Sequence, residues 1–136
     1  MVSSFSGSKL ALFFGEKLLV YLRDERDGLL YSGMWDLPGG GREGNESAEA
    51  CVLRELDEEF GLKLSQPELT YKSHQMNKRG NRIYFFAAQC DKALVNKIQF
   101  GDEGQFYKLV DAREFLEENN AIPHLQEQLK KYLSRQ

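Results

Sequence analysis

Glu55, Glu58 and Glu59 lie in a stretch, 47–60, whose pattern predicts a helix. At about 100° per residue, Ala48, Val52, Leu53, Leu56 and Phe60 fall on one stripe suited to burial. The three glutamates share an adjacent arc. Like charges three or four residues apart repel by roughly 0.2–0.5 kcal/mol per pair in an isolated helix. Arg54 reaches Glu58 at i,i+4 and relieves one charge, which leaves the others for a further cation. Carboxylates with no thiolate or imidazole beside them suit a hard ion, Mg2+ or Mn2+. A solvated acidic helix face would account for the same pattern. Just upstream, Pro38-Gly39-Gly40-Gly41 lets the backbone turn tightly and approach a metal or phosphate, although such a run is also found in ordinary turns.

The whole stretch is more specific than its parts. Gly40 is followed after five residues by Glu46, and after seven more by Arg54-Glu55-Leu56-Asp57-Glu58-Glu59-Phe60-Gly61-Leu62. This resembles, at all nine specified positions over 23 residues, the Nudix box G-x5-E-x7-R-E-U-x-E-E-x-G-U, with U aliphatic. The preceding Met34-Trp35-Asp36-Leu37-Pro38-Gly39 is similar to the segment that leads into that box. The resemblance implies a Nudix fold, an α/β/α sandwich with a mixed sheet. It also implies hydrolysis of a nucleoside diphosphate linked to another group, with Mg2+ or Mn2+ as cofactor. Glu55, Glu58 and Glu59 would be metal ligands, with the Gly39 carbonyl a further one. Arg54 would orient the glutamates, and Glu46 would contribute structurally or through water. The general base would be Glu58, Glu59 or the later Glu103, which resembles the late-loop glutamate of the MutT branch and is expected on a mobile loop.

By the same resemblance, Arg23 would meet the substrate phosphates and Asn120, with Asn119 beside it, the purine. Each has a plain alternative as a surface residue. Lys78, Arg79 and Arg82 surround a hairpin tip and are expected to be solvated rather than phosphate-bound. Trp35 is expected in the core, and His74 and His124 have no metal-ligand spacing. The proline that marks ADP-ribose hydrolases and the tyrosine that marks dinucleoside polyphosphate hydrolases are absent at their usual offsets. The short chain then favours a MutT-like enzyme converting a (deoxy)nucleoside triphosphate to monophosphate and pyrophosphate. The alternatives are hydrolysis of a nucleotide sugar or dinucleotide, and a non-catalytic nucleotide-binding domain of the same fold.

Several elements must position these residues. Apolar runs at 8–14 and 18–23 around Gly15-Glu16-Lys17 predict a hairpin, with Leu18, Val20 and Leu22 on one face and Leu19, Tyr21 and Arg23 on the other. Ser47 is placed to cap the glutamate helix and Gly61 to stop it. Strands are expected at 69–75, 83–90 and 106–110. Asp111-Ala112-Arg113-Glu114 reads as a capping box, and Pro123 opens a last amphipathic helix.

Composition sets the outer bounds. The 136 residues fit a single domain spanning 1–136, with 41% hydrophobic and 29% charged residues and a net charge of −3. That balance argues against a nucleic acid polymer as partner and does not exclude a small anionic substrate, which the resemblance implies is a small-molecule nucleotide. No apolar run approaches a membrane span, and the start MVSSFSGSK lacks the pattern of a leader. Two isolated cysteines, Cys51 and Cys90, fit a reducing cytoplasm. The oligomeric state is left open.

Overall fold

Strand β1, Phe5–Phe14, carries the sheet because its side chains are apolar on both sides. Leu10, Leu12 and Phe14 point to one face, and Ala11 and Phe13 to the other. The computed structural model describes residues 4–135; Met1 to Ser3, which begin the stretch read above as lacking a leader, and Gln136 lie outside them. After β1 come β2 (Lys17–Leu22), β3 (Trp35–Asp36), β4 (Gly39–Gly41), helix α1 (Ala48–Phe60), β5 (Tyr71–Met76), β6 (Arg82–Cys90), β7 (Phe106–Asp111), α2 (Ala112–Glu117) and α3 (Pro123–Leu133). Short 3-10 turns occupy Gln66–Glu68 and Lys92–Lys97.

The sheet runs β3-β2-β1-β6-β5, with β7 on β2 and β4 on β1. Among the described strands, β1 and β6 pair in parallel and the other strand pairs are antiparallel; Trp35 also makes an isolated parallel bridge to Ala121. Two apolar clusters lie on its two faces. On one, Val52, Leu56 and Phe60 of α1 pack against Leu10, Leu12, Leu19 and Phe86. On the other, Phe115, Ile122, Leu125 and Leu129 pack against Phe13, Leu18, Val20 and Phe85. This is the expected α/β/α sandwich with a mixed sheet. Each fully buried Leu or Phe contributes on the order of 2 kcal/mol, and that burial fixes which side of α1 faces the sheet.

Helix α1 follows its sequence signals. Ser47 accepts a hydrogen bond from the Ala50 N–H at 3.0 Å, and Gly61 ends the helix in the left-handed region at φ 66°. Its stripe differs in detail: Leu53 is only half-buried, while Cys51 and Glu59 are buried. The strand expected from 69 begins at Tyr71, because Ser65 and Glu68 form a capping box around the preceding turn. Asp111 does not cap α2 with its side chain. Its carboxylate instead meets Lys17 Nζ at 2.9 Å across the β2–β7 pair.

The glycine run is a strand rather than a turn. Gly39, Gly40 and Gly41 pair with Lys9, Ser8 and Gly7. Gly39 has φ 134°, a conformation side chains rarely adopt, and a Cβ there would collide with the Ser8 carbonyl. Gly39→Ala is therefore expected to destabilise the chain by about 2–4 kcal/mol in urea unfolding, from backbone strain and overpacking together. Gly44→Ala, also left-handed but in open space, should cost only about 1 kcal/mol. Equal losses at the two positions would contradict this account.

Candidate active site

Arg54 projects from the middle of α1 into a ring of acceptors. Its Nε and Nη2 bind the two Glu46 carboxylate oxygens at 3.0 and 2.8 Å, a bidentate fork. Nη2 also donates to the Gly41 carbonyl at 2.9 Å. Nη1 reaches Glu58 at 3.1 Å, Glu55 at 3.3 Å and Glu43 at 3.3 Å. The guanidinium holds the Glu46 carboxyl down at about 2. Burial pushes the Glu55 carboxyl above the usual carboxylate range against the pull of Arg54, and Glu58 and Glu103 add to the rise.

Glu59 is unlike its neighbours. It is 6% exposed, and its Oε1 accepts the Gly39 N–H at 3.0 Å. Burial raises its carboxyl to about 8, although Lys9 and the Gly39 amide act in the opposite direction. Lys9 Nζ lies 3.4 Å from the Gly39 carbonyl and 2.9 Å from Asp36.

Asp36 is fully buried, and one of its oxygens gathers Lys9, Tyr21 Oη at 3.0 Å and Arg23 Nη1 at 3.0 Å. Its other oxygen accepts the Leu37 N–H at 2.7 Å. Sequence reasoning passed over Asp36 and Lys9. The available signal was a lone lysine inside an apolar strand, which needs a buried partner.

Glu103 was expected on a mobile loop, yet its segment is pinned at both ends. The Gly101 N–H donates to the Glu59 carbonyl and the Gln105 N–H to the Leu22 carbonyl, each at 2.8 Å. Glu103 thereby faces Glu55, Glu58 and Glu59 across a cavity of about 200 Å³, with Asp102 beside it. Asp102 and Glu103 also line a larger cavity of about 430 Å³ that reaches Tyr21, Arg23 and Arg26. Arg23 in turn borders a third, more apolar space of about 230 Å³ walled by Leu30, Tyr31, Ile83 and His124. The central space shares Asp102 and Glu103 with the acidic one and Arg23 with the more apolar one, which Gly40 and Gly41 of β4 also border.

The remaining expected residues are dispersed. Arg23 spends its Nε on the Leu30 carbonyl at 3.1 Å and its Nη1 on Asp36. Asn120 Nδ2 donates to the Gly33 carbonyl at 2.6 Å and lines none of these cavities; Asn119 is exposed. Lys78, Arg79 and Arg82 line none of them either. Trp35 is half-buried between Phe106, at 5.6 Å edge to face, and Lys108, 4.5 Å above its ring. His74 packs on Tyr84.

The donor set at the acidic end is entirely oxygen, which fits a hard divalent cation. Among the described residues, no three acidic, imidazole or thiol groups already converge as a coordination shell. Arg54 draws Glu55 and Glu58 to itself, and the Gly39 amide holds Glu59.

His124 supplies a pH dependence of folding. Burial pushes its imidazole below its ordinary 6.5, and its Nδ1 has no partner among the described residues. Asp36 and Glu127 pull the other way, and Lys9 adds to the fall. The folded chain thus binds a proton less readily than the unfolded one. Stability from this group is present above 6.5 and is lost as pH falls through the depressed folded value. His124→Gln should flatten the decline of the unfolding midpoint as pH falls below 6.5, the ordinary value from which burial depresses His124. An unchanged slope would contradict burial of a neutral imidazole.

The NUDIX domain family model matches residues 10–132. An 8-oxo-dGTP diphosphatase of Proteus vulgaris is 50% identical over 55 residues, 40% of this chain and 49% of that protein. Diphosphoinositol polyphosphate phosphohydrolase 3-alpha of Mus musculus is 29% identical over 90 residues, 64% of this chain and 55% of that protein. The matches to these curated relatives thus span about half of their length. The crystal structure of a C. elegans Ap4A hydrolase binary complex superposes with TM-score 0.73 at 15% identity, covering 94% of this chain and 96% of that one. That last likeness shows the fold.

Proposed function

The chain belongs to the NUDIX domain family, and we propose that it is a pyrophosphohydrolase of a nucleoside diphosphate linked to another group. A (deoxy)nucleoside triphosphate cleaved to monophosphate and pyrophosphate is the preferred substrate. The observation that carries this reading is the acidic cavity in which Glu103 faces Glu55, Glu58 and Glu59. The local identity to an 8-oxo-dGTP diphosphatase supports the triphosphate reading.

Glu55, Glu58 and Glu59, with the Gly39 carbonyl, would hold Mg2+ or Mn2+. When bound, such an ion offsets charge on the phosphate oxygens and makes water easier to deprotonate. The protein's own part is positional. Arg54 keeps Glu46, Glu55 and Glu58 in one arc and would release the last two as they take up their ligand. Glu103, on its pinned segment, accepts the proton of the attacking water. The new O–P bond forms as the bridging P–O bond breaks, and pyrophosphate leaves. Arg23 stands where the apolar and central cavities meet.

The test is a panel of nucleoside triphosphates and nucleotide conjugates with millimolar Mg2+, with pyrophosphate and phosphate measured separately. Triphosphates should yield pyrophosphate, and excess chelator should abolish turnover. Glu103→Gln should slow turnover by roughly 10²–10⁴-fold with metal binding largely kept. Glu59→Gln should lose both rate and metal affinity, yet fold at least as stably without metal, because the amide mimics the neutral acid that burial favours. A fully active Glu59→Gln would remove the basis of the reading, and a fully active Glu103→Gln would return the base role to Glu58 or Glu59.

A further inference from the structure

The segment 24–33 between β2 and β3 is an ordered loop. Its base is closed by the Arg23 N–H to the Met34 carbonyl and the Gly33 N–H to the Asp24 carbonyl, each at 2.9 Å. Inside it, the Arg26 N–H donates to Ser32 Oγ at 2.8 Å, and the Leu29 N–H returns to the Arg26 carbonyl at 3.3 Å. The backbone at Arg26 is therefore fixed from both sides. Its guanidinium has no hydrogen-bond or ion-pair partner among the described residues. It borders the cavity of about 430 Å³ that also holds Asp102 and Glu103.

The contrast with Arg23 is chemical. Both arginines line that cavity, but Arg23 is committed to the buried Asp36 and to the Leu30 carbonyl. Arg23 can offer a substrate only the donors that Asp36 and Leu30 leave it, because pulling it off Asp36 would leave a buried carboxylate with one fewer counter-charge, a costly exchange. Arg26 is free of that constraint. Asp102 and Glu103, with Asp24 on the loop of Arg26, would repel a polyanion unless cations lined the same cavity, and among the described residues Arg26 is the unpaired cation there. A guanidinium also matches two phosphate oxygens at once.

We propose that Arg26, rather than Arg23, is the residue that grips the substrate's phosphate chain, beyond the bond that is cut. This rests on the pyrophosphohydrolase reading. Arg26 acts in binding: it orders the phosphates in the central cavity while the reacting phosphorus lies at the acidic end.

The experiment compares wild type, Arg26→Ala, Arg26→Lys and Arg113→Ala with a nucleoside triphosphate and Mg2+. Arg113 is an exposed arginine on α2 and lines none of the three cavities, so its loss controls for net charge. Arg26→Ala should raise KM about 10- to 100-fold, the worth of a charge-assisted hydrogen bond or two, with kcat changed less than about threefold. Inhibition by added pyrophosphate should weaken in parallel, Arg26→Lys should fall between, and Arg113→Ala should match wild type. A KM for Arg26→Ala within twofold of wild type, or an equal rise in Arg113→Ala, overturns the proposal. Absence of wild-type turnover on every nucleotide would defeat the functional reading separately. Calorimetric titration of pyrophosphate with Mg2+ then decides for Arg26: weaker binding in Arg26→Ala than in wild type upholds it, and equal binding or none refutes it.

Discussion

Five carboxylates, Glu43, Glu46, Glu55, Glu58 and Glu59, crowd one side of α1 and the loop that enters it, and the fold has to keep them there against their own repulsion. Arg54 makes this possible. Its fork takes Glu46 on two bonds, and its other edge takes Glu55, Glu58 and Glu43. Through the Gly41 carbonyl it also fastens α1 to β4. A lysine could supply the charge but not these directions, because only the planar guanidinium presents donors along several fixed lines at once. Glu59 lies outside this circle and is accommodated differently, by burial that favours its neutral form and by one backbone donor.

Asp36 plays the corresponding part within the sheet. A fully buried carboxylate is tolerated only when its lone pairs are met, and here three side chains and one amide meet them. The partners come from β1, from β2 and from the residue that follows β2. The cluster thereby locks β3 to the middle of the sheet and sets the root of the loop that carries Arg26. Lys9 links this cluster to the backbone that holds Glu59, since the same ammonium approaches both Asp36 and the Gly39 carbonyl, and the Gly39 amide donates to Glu59.

Much of this was legible in the residues because it is local. The spacing of Ala48, Val52, Leu56 and Phe60 gave the buried face of α1; Ser47 and Gly61 marked its ends; and the fixed spacing from Gly40 to Leu62 named the carboxylates. What the spacing left hidden depends on partners distant in sequence. Glu59 shares the arc of Glu55 and Glu58 on a helical projection, yet the approach of β4 buries it and leaves Glu58 exposed. Asp111 carried a capping signal, but Lys17 across the sheet competes for its carboxylate. Asn120 and Arg23 were read as meeting the substrate, and partners distant in sequence engage the Asn120 Nδ2 and Arg23 Nη1 donors. Glu103 gave no sign that Glu59 and Leu22 hold its loop still.

The parallel pairing of β1 with β6 bears on how the site comes into being. Leu10 lies opposite Phe86, Ala11 opposite Ala87 and Leu12 opposite Ala88, so the central strand finds its neighbour only after some 70 intervening residues have been made. Closing so long a loop is slow, because its entropy is lost before the contacts are gained. On the ribosome, the apolar β1 emerges well before β6, and its edge stays unpaired on that side until β6 has been made. The local part of the site, helix α1 with Arg54 and its glutamates, can form early. Gly39 and Asp36 reach their places only when β1 is seated, so folding assembles the charged cluster in two stages, with the buried half last.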